Sequence, residues 1–225
     1  MRIAILGTGM VGQSLAGGLT RTGHGVVIGT RDPAATAARR EPDAMGAPGF
    51  GVWHDDHGDI TLTTSAEAVE GAEVLINATN GVSSIAALDL VGADRLGDKV
   101  LLDVANALDF TTAPPSLATV DGPSLAETIQ ARFPNTRVVK SLNTMNADVM
   151  VQPGLVGDGG HSVFLCGDDA DAKATVRSLL EGLGWVDVID LGDLTAAGTV
   201  EALLPIWLRL AGTFGSPKLQ FQIVR

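Results

Sequence analysis

Arg2-Ile3-Ala4-Ile5-Leu6-Gly7-Thr8-Gly9-Met10-Val11-Gly12-Gln13-Ser14-Leu15-Ala16-Gly17-Gly18-Leu19 decides the fold. A short apolar run with β-branched Ile3 and Ile5 reads as a buried strand. Three glycines follow in the pattern Gly-x-Gly-x-x-Gly, and Leu15 and Leu19, four apart, start a helical period at once. Gly7 allows the tight turn, Gly9 lets a pyrophosphate approach the backbone, and Gly12 lets helix pack closely on strand. The free N–H groups and the positive dipole end of that helix then face the phosphates. A glycine loop alone is weak evidence, but strand, loop and helix in immediate succession predict a dinucleotide site on Gly7, Thr8, Gly9, Met10, Val11 and Gly12.

The next strand selects among dinucleotides. A site for NAD places Asp or Glu about 20 residues past the loop, where it holds the ribose hydroxyls. Here that stretch is Val27-Ile28-Gly29-Thr30-Arg31-Asp32, and the acidic position falls near Gly29. Thr30 offers a hydroxyl and Arg31 a planar fork suited to a 2′-phosphate. Asp32, just before Pro33, is placed to cap the following helix. The cofactor read from these residues is NADP rather than NAD.

Beyond this unit, strands alternate with helices. Ile60–Thr63, Val74–Ala78, Lys99–Val104 and Val138–Leu142 read as strands, and helices are expected over Ser65–Glu70, Ser83–Leu90 and Ser124–Phe133. The pattern predicts an α/β Rossmann-type, doubly wound and mostly parallel sheet. Further strands at His161–Cys166 and Trp185–Leu191 flank an amphipathic helix over Ala170–Leu183, and an apolar helix over Thr199–Ala211 carries Pro205, which should kink it. The expected division is a cofactor-binding Rossmann domain over 1–146 and a small C-terminal α/β extension over 147–225. Residues 41–59, with two Pro, four Gly and a run of acids, read as a solvated surface loop. Asn77-Ala78-Thr79-Asn80, Val104-Ala105-Asn106 and Ser141–Asn146 close three strands on the crevice side. Ala78, Thr79, Ala105, Asn106 and Thr144 are therefore candidate cofactor contacts.

Composition narrows the function. The 225 residues carry a formal net charge of −11, with no basic stripe, which argues against nucleic acid. No uninterrupted apolar run approaches the ~18 residues of a membrane span. The N-terminus has no apolar signal segment of roughly 7–15 residues, so a cytoplasmic protein without a membrane partner is expected. The single Cys166 lies in an apolar run and reads as a buried strand residue. There is no Tyr, which removes the phenolic proton donor many reductases use. His24 lies at the foot of the sheet, His54 and His57 in the acidic loop, and His161 at a strand start. Lys140 has no evident carboxylate beside it, and its plainer reading is a strand residue. No metal-ligand spacing or nucleophilic set stands out, so the catalytic residues stay unassigned. Ketone or imine reduction needs a proton donor, whereas hydride transfer to a flavin-like ring needs mainly two rings held in register.

The chain resembles the NADP oxidoreductases dependent on the deazaflavin coenzyme F420. The likeness lies in Ile5–Gly12, Gly23-His24, Val27–Asp32, Val138–Thr144, Phe164–Asp169, Glu201–Pro205 and Gln222–Arg225. It implies that Thr8, Met10 and Val11 join the phosphate loop and that Thr30 and Arg31 hold the 2′-phosphate. It also implies that Ala78 and Thr79 line the path to the nicotinamide, and that Asn143–Asn146 lie near it. The helix around Leu204 and Trp207 would wall the acceptor pocket, in a homodimer or as a core helix. The same domain serves membrane metalloreductases, in which the acceptor is a flavin. Glu41–Asp59 is longer than the resemblance leads one to expect. The reading is an NADPH-dependent oxidoreductase whose acceptor is coenzyme F420, FMN or FAD. The alternatives are a reductase of a small carbonyl or imine, and a non-enzymatic NADPH-binding regulator.

Overall fold

β1 (Arg2–Leu6) leads through the glycine loop into α1 (Met10–Arg21), as the opening stretch predicts. The computed structural model describes residues 1–43, 46–109, 111–112, 115–118 and 122–225. Chain reversal after α1 uses Gly23 at φ +87, and the His24 N–H returns to the Leu19 carbonyl. The chain continues through β2 (Gly25–Thr30), α2 (Pro33–Ala37), α3 (Phe50–Asp55), β3 (Thr61–Thr64), α4 (Ser65–Val69) and β4 (Val74–Asn77). Next come α5 (Ser84–Val91), α6 (Ala93–Leu96), β5 (Val100–Asp103), the two-residue strands β6 (Leu108–Asp109) and β7 (Ser116–Leu117), and α7 (Leu125–Arg132). β8 (Arg137–Ser141), α8 (Ala147–Val151), β9 (Ser162–Gly167), α9 (Ala170–Gly182), β10 (Asp187–Asp190), α10 (Ala197–Ala202) and α11 (Leu204–Phe214) follow.

The caps explain many of these starts. Asp32 accepts from the Ala35 N–H and Asp169 from the Ala172 N–H, while Thr64 with Glu67 and Ser124 with Glu127 form complete capping boxes.

The main sheet has eight strands in the order β10-β9-β8-β5-β4-β1-β2-β3. From β3 across to β8 every pairing is parallel, the order of a dinucleotide-binding sheet, and the direction of winding reverses between β1 and β4. β9 pairs antiparallel with β8, and β10 runs parallel to β9, so the C-terminal residues continue the same sheet. Alternation sends Ile3 and Ile5 into one apolar layer and Ala4 and Leu6 into the other. Both faces of the sheet are therefore covered, which is why these strands read as unbroken apolar runs.

Two expectations need correction. The segment 41–59 is not simply a solvated loop. It forms α3, buries Ala47 and Phe50, and stacks Trp53 on His57 at 4.3 Å between ring centroids; Ala44 and Met45 lie outside the described residues. His54 donates to the Ile60 carbonyl at 2.7 Å and His57 to the Trp53 carbonyl at 2.8 Å, so both rings staple the segment. Pro205 does not kink one helix; it sits in the first turn of α11, and the helical run breaks at Leu203 between α10 and α11. Leu194–Phe214 has the length and composition of a bilayer-crossing helix, at a mean hydropathy of 1.3. Here Ala197, Val200, Leu204 and Trp207 are buried in the protein.

Candidate functional site

A cavity of about 430 Å³ opens where the sheet reverses its winding. Register explains its place: Leu6 pairs with Gly29 on one side and Asn77 on the other, so three strands end level. The cavity is lined by Gly7, Thr8 and Gly9 after β1, Gly29, Thr30 and Arg31 at the end of β2, and Ala78 and Thr79 after β4. Seven of the sequence-predicted residues thus meet in one space, and Arg31 is the only ionisable side chain among its described lining.

The loop has the shape a pyrophosphate requires. Gly7 sits at φ +129, and a Cβ there would lie 2.2 Å from the Ala78 carbonyl oxygen. Gly12 presses on the Gly7 carbonyl, where a Cβ would come within 2.1 Å. Gly9 differs, because nothing stands within 4 Å of the position its Cβ would take. No side chain caps the N-terminus of α1, so the first-turn N–H groups of Met10, Val11 and Gly12 have no capping side chain to bond. An unfilled cradle over uncapped amides fits a diphosphate.

A second hollow of about 420 Å³ adjoins the first, lined by Thr8, Thr30, Arg31, Asp32, Ala35, Thr36 and Arg39. Thr30 Oγ1 lies 2.9 Å from Thr36 Oγ1, and the Arg39 Nη2 donates to Thr8 Oγ1 at 2.6 Å. Arg39 is a functional candidate that the sequence reading missed. The turn after α2 returns it over the phosphate loop, and its guanidinium carbon stands 6.0 Å from the centre of the Phe50 ring. Two guanidinium groups and three hydroxyls line one hollow, with the Asp32 carboxylate turned to the Ala35 N–H, a set that suits a phosphate dianion.

Ala105, Asn106 and Thr144 lie outside the main cavity, toward β8. Ala105 and Thr144 are buried, and Asn106 is half-buried. Asn106 donates to the Asn143 carbonyl at 2.8 Å and accepts from the Asn143 amide at 3.0 Å, which locks the ends of β5 and β8 together. Met10 faces another hollow, with Gln13, Trp53 and Asp148, on the far side of the loop.

Lys140 is not without a carboxylate. Asn77, Asp103 and Lys140 occupy matched register positions on β4, β5 and β8, so their side chains stand in a row on one face. The Lys140 Nζ donates to Asp103 Oδ2 at 2.8 Å and to the Ala105 carbonyl, and Glu201 from α10 stands 3.0 Å away as a charge contact. All three ionic side chains are essentially inaccessible. Burial alone would lower the Lys140 pKa, but Asp103 and Glu201 together raise it, so the ammonium stays charged. A lysine so enclosed has no free proton to give a substrate. The signal for this row was a polar residue at or beside the end of three apolar strands.

The other candidates fall elsewhere. His161 stands edge-on to Trp185 at 5.0 Å, and burial lowers its pKa, so it packs in the core as the neutral ring. His24 lies beside the Met1 amino group at the foot of the sheet. Cys166 is fully buried opposite Lys140, and burial pushes its thiol up to about 12. Among the described residues no cluster of His, Cys, Asp or Glu could hold a metal.

Residues 2–107 match the family model described as NADP oxidoreductase coenzyme F420-dependent. The chain is 30% identical over 218 residues to the F420-dependent NADP reductase of Methanothermobacter marburgensis, covering 93% of this chain and 92% of that one. It is 32% identical over 212 residues to rat metalloreductase STEAP3, covering 92% of this chain but only 38% of that protein's length. A crystal structure from Arthrobacter sp. FB24, provisionally assigned as an F420-dependent NADP reductase, superposes at a TM-score of 0.95 over 100% of both chains, with 52% identity.

Proposed function

The chain belongs to the family of coenzyme F420-dependent NADP oxidoreductases, and from that premise we propose that it moves hydride between NADP(H) and a deazaflavin or flavin ring. The observation that carries this reading is the pair of joined hollows. One is built for a diphosphate on glycine-loop amides, and the other sets Arg31 and Arg39 beside Thr30 for a 2′-phosphate.

When bound, the nicotinamide supplies the hydride, and the chain's own residues hold and orient it. Gly7, Gly9 and the first-turn amides of α1 receive the pyrophosphate; Ala78 and Thr79 line the way from the adenosine end. Ala105, Asn106 and Thr144 lie on the side where the nicotinamide would extend. Asp103 and Lys140 are spent on each other, and His161 is buried against Trp185. The described strand ends therefore offer amides, hydroxyls and apolar surface rather than a proton donor. That favours an acceptor whose own ring carries the proton chemistry over a carbonyl or imine. The C-terminal helices α10 and α11 would wall the acceptor side, and a second copy of the chain is their natural partner.

The test is anaerobic mixing of the purified protein and NADPH with coenzyme F420, FMN and FAD in turn, following the acceptor's absorbance. Reduction of F420 or a flavin at a rate above the protein-free control supports the reading. No reduction of any of the three overturns it.

A further inference from the structure

We propose that Glu201 of α10 is a positioning residue for hydride transfer, acting through Lys140 to hold the Ala105–Asn106 backbone at the end of β5. The inference rests on the function proposed above. Two routes run from one turn of α10 to this pair of residues. Along the first, Glu201 meets Lys140 at 3.0 Å, and Lys140 donates to the Ala105 carbonyl and to Asp103. Asp103 in turn accepts from the Ala105 N–H at 3.3 Å, so Ala105 is gripped by both its carbonyl and its amide. Along the second, the neighbouring Val200 carbonyl accepts from the Asn143 amide at 3.4 Å, and Asn143 donates at 3.0 Å to Asn106.

The far side of the same network reaches the adenosine end. Asp103 accepts from Asn77 at 2.7 Å, and Asn77 accepts from the Thr79 hydroxyl at 2.7 Å. Glu201 is itself anchored, its second oxygen accepting from the Leu125 N–H at 3.2 Å at the start of α7. Two carboxylates around one ammonium leave a net negative charge in a dry interior, an arrangement that well-packed apolar residues usually match or better for stability. Packing alone therefore gives little reason for it. What it supplies is directional: a helix on the acceptor side and the floor beside the cofactor are tied to the same ammonium. A shift of about 1 Å in a reacting pair can cost on the order of 100-fold in rate, so such a tie bears directly on the hydride step.

Glu201→Gln keeps the shape and removes the charge. Amide hydrogen exchange of the cofactor-free variant should show segment 104–107 exchanging at least about 10-fold faster, with the Gly7–Gly12 loop unchanged. With NADPH, Kd should stay within about twofold of wild type while kcat falls roughly 10-fold or more and the isotope effect from 4-deuterated NADPH rises, because hydride transfer has become the slow step. If Glu201→Gln gives no folded protein, Glu201→Asp, which keeps the charge but draws it back from Lys140, carries the same expectations. Loosening confined to 197–204 with unchanged exchange at 104–107 would overturn the proposal, as would a lowered Tm with wild-type kcat and isotope effect. The exchange measurement does not depend on turnover, so wild-type protein that reduces no acceptor refutes the function proposed above and leaves this test standing.

Discussion

Arg31→Ala tests the 2′-phosphate site most directly. Arg31 is exposed at the mouth of the hollow, forms no ion pair among the described residues, and so is free to meet a phosphate. A hydrogen bond to a charged group contributes about 1.5–3 kcal/mol, and solvent exposure argues for the lower end of that range. At about 1.4 kcal/mol per tenfold, Kd for NADPH should rise ~10- to 20-fold. NADH has no 2′-phosphate, and its Kd should change by less than about twofold by the same reasoning. Arg39 differs because it already donates to Thr8 at 2.6 Å, so binding exchanges one partner for another. Arg39→Ala should therefore cost less, roughly 3- to 5-fold for NADPH. The assay is a titration of nicotinamide fluorescence with both cofactors, for the two single variants and the double. The double variant should bind NADPH and NADH about equally. Equal losses for NADPH and NADH in Arg31→Ala would refute the assignment.

Gly9→Ala should fold with an unchanged Tm, since nothing lies within 4 Å of the new methyl, yet lose NADPH binding in the same titration. Gly12→Ala drives a methyl to 2.1 Å from the Gly7 carbonyl, and urea denaturation should show a large loss of stability even without cofactor. Lys140→Met strands Asp103 and Glu201 in the interior, and urea denaturation at pH 7 should show a loss of about 3–5 kcal/mol; a loss below about 1 kcal/mol would mean the carboxylates find other partners. Cys166 has its folded pKa raised to about 12, so it holds its proton while an unfolded thiol ionises first. Its contribution to stability is full below the unfolded pKa and declines as pH rises toward 12, so wild type should lose stability relative to Cys166→Ala above about pH 9. Equal pH dependence of the two proteins would contradict that burial.

Much of the fold was legible because its signals are local. Asp32, Ser124 and Asp169 cap helices through bonds three residues away, and a strand buried on both faces declares itself as an apolar run. The glycine loop was legible for the same reason, since turn, cradle and helix start lie within six residues. What escaped depends on register and on returns of the chain. Lys140 finds Asp103 only because β5 and β8 pair Asp103 with Lys140, and Glu201 arrives from a helix past two more strands. Arg39 reaches Thr8 because the segment after α2 folds back on α3, whose acidic, Gly- and Pro-flanked sequence hid the spacing of Phe50 and Trp53. His57, read as solvated, is held by Trp53 through a backbone carbonyl that no side-chain pattern reveals.

The Asp103–Lys140–Glu201 contact also orders events during synthesis. The strands around the glycine loop, the Arg31 hollow and the Thr79 side of the crevice all come from the first 79 residues and β5, so they can assemble while the rest of the chain is still being made. Lys140 must then wait for residue 201. At about 5–20 residues per second that interval lasts several seconds. During it the ammonium has only one of its two carboxylates, and the Ala105 end of β5 lacks its tie to α10. On the function proposed above, the cofactor's adenosine half would have a seat before its reactive half does, and the last helices to emerge would complete the site.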